Sequence, residues 1–227
     1  MKKRLRRVSV DMTTIEISAQ TIFDEITNHL LMDEKPSVFM EELSERKEFQ
    51  EYPFSLILAL KTAEQSPKYH AEGNAWNHTM LVIDEAARVR IKSKDPLVFM
   101  WSSLLHDIGK PETTRVKKGR ITSYDHDKVG ERLCWEFLEY FSQEENFIQS
   151  VSAMVRYHMH MLYILRKLPY SDLMGLLRKV DVDELALLCL CDRLGRKGAD
   201  IAAERKEYDE FLKLLRYSLE KSKDKIV

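Results

Sequence analysis

The chain has 227 residues, 44% hydrophobic and 32% charged, with a formal net charge of -1. That length supports one substantial core with a smaller helical appendage, and the balanced charge argues neither for nor against a polyanionic partner. No window approaches the roughly 18 apolar residues of a membrane span. Cys134, Cys189 and Cys191 sit in apolar helical patterns and form no CxxC pair. Such sparse thiols are the usage of a reducing compartment, so a cytoplasmic protein is expected.

Lys2-Lys3-Arg4-Leu5-Arg6-Arg7 resembles the start of a signal peptide, but Val8-Ser9-Val10-Asp11 replaces the apolar stretch that should follow. A basic, frayed N-terminus is therefore expected. With only seven glycines and six prolines, and with Leu, Ala, Glu, Lys, Arg and Met dominant, the chain reads as all-α. Periodicity predicts helices at 15–32, 36–46, 53–65, 75–93, 95–107, 126–142, 144–160, 170–179, 182–194 and 198–222. One segment breaks the pattern. Thr113 to Ser123 holds two β-prone stretches around a Lys-Gly turn and predicts a small hairpin. The expected division is an N-terminal helical region at 1–65 packing on a main domain at 66–227, which ends in an amphipathic helix.

The chemistry centres on His106-Asp107-Ile108-Gly109-Lys110, which ends the apolar run Phe99-Met100-Trp101-Ser102-Ser103-Leu104-Leu105. A carboxylate and an imidazole are costly to bury, and neighbours on a helix end point apart, so each needs its own partner. A cation would satisfy both. Six of the seven histidines fall between positions 70 and 160. His78 shares an apolar face with Leu81, Val82, Ala86 and Val89, and His126 lies on a stripe with Val129, Leu133 and Phe137. Gly130, on that same stripe, leaves room for another helix. His158 continues Val151-Met154-Val155, and Asp192 extends Leu185-Leu188 by a turn.

Each taken singly has an ordinary reading: a core histidine hydrogen-bonded to backbone, or an Asp192 that pairs with Arg193 or Arg196 or is solvated. Taken together, four helices aiming nitrogen and oxygen donors inward favour a metal site, with Mn, Fe, Co, Ni or Zn suited to the mixed ligands. His160, two residues from His158, falls on another helix face and is expected at the rim. His29 has no partner nearby in sequence and reads as an ordinary helix residue. His70, in the loop from Pro67 to Asn74, is a candidate for substrate contact.

This pattern resembles the HD-domain metal-dependent phosphohydrolase superfamily, with its H…HD…(H…H)…D signature. The resemblance implies His78, His106, Asp107 and Asp192 as core ligands. His126 and His158 match the added ligands of dinuclear members, with Asp107 bridging. Lys110 matches the lysine of the HD-x-GK form that lies near substrate phosphate, so Asp107 and Lys110 are implied as catalytic residues. A closer likeness, over roughly residues 30 to 200, is to the HD region of bacterial tRNA nucleotidyltransferases, the CCA-adding enzymes. It is carried by Lys35-Pro36-Ser37, by His70 through Thr79 and by Asp192-Arg193-Leu194-Gly195-Arg196. In those proteins that region can carry phosphatase and 2′,3′-cyclic phosphodiesterase activities. Their polymerase head has a Gly-Ser or Gly-Gly motif before an Asp-x-Asp pair. Asp181-Val182-Asp183 has the spacing without the glycines and reads as a helix N-cap. The HD part is expected to stand alone, and nucleotide addition is not carried over.

The expected reaction is phosphoester hydrolysis on a nucleotide or an RNA end, with one or two divalent ions (Mg included) activating water. Arg115, Lys117, Lys118 and Arg120 on the hairpin either touch outer phosphates or form a solvated turn. Arg196 and Arg156 are weaker candidates for substrate contact. Two rivals remain: a non-catalytic tRNA-binding module, and an oxygenase using the same ligands around two irons. Oligomeric state is not legible in the sequence.

Overall fold

The computed structural model describes residues 18–223, so the basic N-terminus lies outside the described residues. The chain runs α1 (Ala19–Met32), α2 (Pro36–Ser44), α3 (Ser55–Leu58), α4 (Ala75–Val89), α5 (Pro96–Leu105) and α6 (Lys110–Thr113). A hairpin of β1 (Arg115–Lys117) and β2 (Arg120–Thr122) follows. Then come α7 (His126–Tyr140), α8 (Glu145–Tyr157), α9 (His160–Leu165), α10 (Leu173–Lys179), α11 (Val182–Leu194) and α12 (Ile201–Lys223). The architecture is thus a helical bundle with one small antiparallel hairpin, the fold class read from the sequence. Among the described residues no helix is long and apolar enough to cross a membrane.

The apolar run of α5 forms the central column: Phe99, Met100, Trp101, Leu104 and Leu105 are all fully buried. Asp95 starts it by accepting from the Val98 amide at 3.1 Å, with Pro96 in the first turn where its missing N–H costs nothing. Around it lie α1, α4, α8 and α11. Phe23 of α1 stacks on Trp101 at 4.5 Å and on Phe141 at 4.4 Å, and Trp101 Nε1 donates to Thr27 Oγ1 at 3.2 Å. Phe49, Phe54 and Phe137 complete this aromatic core.

Several elements differ from their expected bounds, each for a local reason. The helix expected at 53–65 is a short α3 followed by a 3₁₀ turn at Ala59–Thr62. Beyond it the chain leaves helical geometry to pair with the 70s loop, Gln65 N donating to Gly73 O and Ala75 N to Ala63 O, both at 2.9 Å. The helix expected at 144–160 ends at Tyr157, and the chain turns through His158 and Met159 into α9, of which periodicity had placed only His160 in a helix. The helix expected at 170–179 starts at Leu173, because Asp172 caps it by accepting from Gly175 N at 2.9 Å.

Two histidines need correction. His160 is fully buried rather than at a rim: the turn at Met159 redirects it inward, where its Nε2 accepts from the Asp172 amide at 3.1 Å. His29 has partners after all, with Nδ1 2.8 Å from Asp33 Oδ2 and its ring stacked on Phe39 at 3.7 Å.

Candidate metal centre

Each functional side chain is delivered by a helix end. Asn74 caps α4 by accepting from Asn77 N at 2.9 Å, which puts His78 in the first turn, facing inward. Past Leu105, His106 closes α5 and the chain folds tightly, Lys110 N donating to Asp107 O at 2.8 Å. His126 opens α7, His158 caps α8 and Asp192 lies near the end of α11. Gly109 and Gly130 let these ends meet. A Cβ on Gly109 would stand 2.1 Å from His126 O and 2.6 Å from Gly130 N, and one on Gly130 would meet Val155 Cγ1 at 3.0 Å. The expected close approach at Gly130 is thus made by the His-Asp turn and by α8.

All six side chains are buried, and five of them form two buried clusters able to coordinate a divalent ion: His78, His106 and Asp107, and Asp107, His126 and His158; His70, Glu72 and His78 make a third, less buried group. Asp107 belongs to both buried clusters. Its Oδ2 lies 3.2 Å from His106 Nε2, while its Oδ1 lies 3.5 Å from His126 Nε2 and 3.8 Å from His158 Nε2. Asp192 Oδ1 is 2.9 Å from His78 Nε2, beside the first cluster. Asp192 also faces Arg196 at 3.6 Å, whereas Arg193 turns away to Glu204 and Glu207.

The imidazole tautomers test whether a cation fits. His106, His126 and His158 place Nδ1 against the carbonyls of Ser103, Ser123 and Val155 at 2.9, 2.7 and 2.6 Å. A carbonyl only accepts, so each Nδ1 carries a proton and each ring turns its Nε2 inward, where the neutral rings of His126 and His158 present bare lone pairs. These two lone pairs face one another at 3.2 Å, and His106 Nε2 is buried with no hydrogen-bond partner. Lone pairs aimed at each other and at a carboxylate repel unless a positive charge lies among them. The donor set fits a divalent ion of the first transition row.

The electrostatics agree. Burial alone would raise the carboxyl of Asp107, yet His106 and Lys110 outweigh it and hold the group well below the usual range. Asp192 behaves alike: burial opposes ionisation, and Arg196 and His78 overcome it. Burial, with His126 and His106 close by, pushes His158 down to about 3 and keeps it a neutral donor. His126 is lowered too, chiefly by burial. His78 is raised, because its bonds to Asp192 and Glu72 outweigh burial.

Lys110, nearly buried, sets its Nζ 2.6 Å from Asp107 Oδ2 and donates to Gln65 Oε1. His70 packs edge-on to His78 with ring centroids 4.8 Å apart, and its Nδ1 is 2.8 Å from Glu72 Oε1. Arg115 sits on the exposed hairpin and donates to Thr114 O at 2.8 Å.

Three features escaped sequence reasoning. Glu72 Oε1 stands 3.1 Å from His78 Nδ1, behind the ring, and its Oε2 accepts from Lys197 N at 3.2 Å. Despite the cost of burial, bonds from His78 and His70 bring Glu72 down to about 2. A pair between half-buried Arg156 and buried Asp127 ties α8 to α7 beside His158 and His126. Gln65 receives Lys110. Glu72 lies in a loop that carries no periodic signal, and Gln65 was read as the end of a helix at 53–65; Asp127 next to His126 was the one legible hint.

A family model described as the HD domain matches residues 75–197, more than half of the chain, and the match includes His78, His106, Asp107, His126, His158 and Asp192. The chain belongs to the HD domain family. It is 28% identical over 201 residues to the multifunctional CCA protein of Pseudomonas syringae pv. syringae (strain B728a), covering 86% of this chain and 47% of that protein. It is 29% identical to the protein of the same name from Pseudomonas fluorescens (strain SBW25), covering 75% of this chain and 41% of the relative. The Pasteurella multocida (strain Pm70) protein of that name is 26% identical, covering 87% and 48%. The chain thus spans under half the length of these curated relatives.

Proposed function

We propose that the protein is a metal-dependent phosphohydrolase that cleaves a phosphoester of a nucleotide or of an RNA end, as a phosphomonoesterase or a 2′,3′-cyclic phosphodiesterase. The observation that carries this reading is the division of the Asp107 carboxylate, one oxygen toward each imidazole cluster. His78, His106, Asp107 and Asp192 would hold one ion, and Asp107, His126 and His158 a second. Ions bound there lower the pKa of water toward neutrality and offset charge on phosphoryl oxygens.

The chain's own groups supply the rest. Backbone carbonyls fix the tautomers of three imidazoles, so no reorganisation is needed at the moment of reaction. Lys110 holds a positive charge against Asp107 and is the group best placed to meet a phosphoryl oxygen. Arg196 and His70 flank the His78–Asp192 side and are proposed as substrate contacts, with Arg115 further out. The domain from residue 66 onward would carry the site, with the described part of the N-terminal region, residues 18–65, as a buttress. The HD resemblance to CCA-adding enzymes supports a nucleotide or RNA substrate. Three buried free cysteines support a reducing, cytoplasmic setting.

The test compares the wild-type protein with Asp107→Ala on phosphomonoesters and 2′,3′-cyclic nucleotides, with Mn, Ni, Co or Mg added. Turnover by the wild type and a loss of at least a hundredfold in the variant are expected. Equal background rates for both across the panel would refute the proposal, and oxygen consumption by an iron-loaded protein would replace it with oxidative chemistry.

A further inference from the structure

The β1–β2 hairpin carries charge of one sign only. Residues 113–124 contain Arg115, Lys117, Lys118 and Arg120 and no Asp or Glu, in a protein whose net charge is -1. Among the described residues none of these four cations makes an ion pair with a carboxylate. The register pairs Arg115 with Thr122, Val116 with Ile121 and Lys117 with Arg120. Side chains alternate along a strand and cross-strand partners share a face, so Arg115, Lys117 and Arg120 lie on one face and Val116 with Ile121 on the other. Lys118 forms the tip with Gly119, both at positive φ of 50° and 74°.

Lys117 directly opposite Arg120 is a like-charge pair, which weakens a hairpin unless a counter-charge sits against it. Along the strand the Arg115–Lys117 spacing is about 7 Å, a step that follows an extended phosphodiester backbone. Both feet are tied to the candidate metal centre. Thr114 Oγ1 donates to Lys110 O at 2.7 Å and lies 2.8 Å from Ser123 Oγ, and Ser123 O accepts from His126 Nδ1 at 2.7 Å. Tyr124, 63% exposed, stands at the base between β2 and α7.

We propose that this hairpin is a docking arm for single-stranded nucleic acid. It would lead the end of a strand toward the metal centre. Cations set in a row supply backbone neutralisation, and an exposed aromatic ring at the base offers a stacking surface for a nucleobase. The narrow, deep major groove of duplex RNA would not admit the arm, so a single strand is the fitting partner. The assignment of a strand end as substrate rests on the phosphohydrolase reading; the docking role does not.

The experiment measures binding of a fluorescent twelve-nucleotide RNA to the full chain in EDTA, between 50 and 200 mM KCl. It compares the wild type with a variant carrying Arg115→Gln, Lys117→Gln, Lys118→Gln and Arg120→Gln. At about 0.7 ions released per contact, three face cations make the wild-type log–log salt slope steeper by about 2, a fall of roughly 20-fold in affinity across that range. The quadruple variant is expected to bind at least tenfold more weakly at 50 mM, with an unchanged thermal midpoint. Should it fail to fold, the pair Lys117→Gln with Arg120→Gln replaces it and should lower the slope by about 1.4. Equal affinity and slope for wild type and variant would overturn the proposal. Binding of duplex RNA or of polyglutamate as tightly as the single strand would also overturn it, the latter in favour of an acidic protein partner. No hydrolysis is read in EDTA, so failure of the phosphohydrolase assay leaves this result standing, and the converse holds too.

Discussion

At the scale of single residues the centre is built from side chains that are costly in isolation and compatible around a cation. His106, His126 and His158 were legible in the sequence because each continues an apolar helical stripe, where an unpaired polar group would be expensive. Asp107 and Asp192 were legible for the same reason. Glu72 was not, since a loop has no periodicity to violate. Its place behind His78, one oxygen 3.1 Å from Nδ1, would hold that ring with Nε2 toward Asp192. Glu72→Gln is therefore expected to weaken metal binding by about 10- to 100-fold in calorimetry while leaving the number of ions per chain unchanged. Unaltered affinity would contradict this role for Glu72, and the loss of one ion per chain would make Glu72 itself a ligand.

At the scale of elements, long amphipathic helices were legible and their ends were not. α4, α7, α8 and α11 appear where 3.6-residue periodicity places them, and the hairpin where turn chemistry places it. The missed features are tertiary. Pairing with the 70s loop takes Gln65 out of a helix, and the turn at Met159 sends His160 inward. The contact of the His-Asp turn with α7 depends on Gly109, where any Cβ would overlap His126 O. Gly109→Ala should push the start of α7 away, costing about 1–3 kcal/mol in chemical denaturation. Because His126 moves with α7, the second ion should be lost before the first. A variant with native stability and full metal content would contradict that close approach.

At the scale of the whole molecule, one continuous apolar core takes side chains from every helix between α1 and α12 except α6 and keeps the ligand-bearing helix ends in register. Composition made the all-α class legible, and the spacing of histidines and aspartates made the site legible. The substrate was not, because phosphoester chemistry at such a site is set by groups around it rather than by the ligands. The central claim is that two buried clusters sharing Asp107 hold divalent ions. Elemental analysis of protein purified without added metal or chelator tests it most directly. Two transition ions per chain are expected, and fewer than one in Asp107→Ala. A wild-type chain that holds no ion, and takes up none when dialysed against Mn, Co, Ni or Zn, would contradict it.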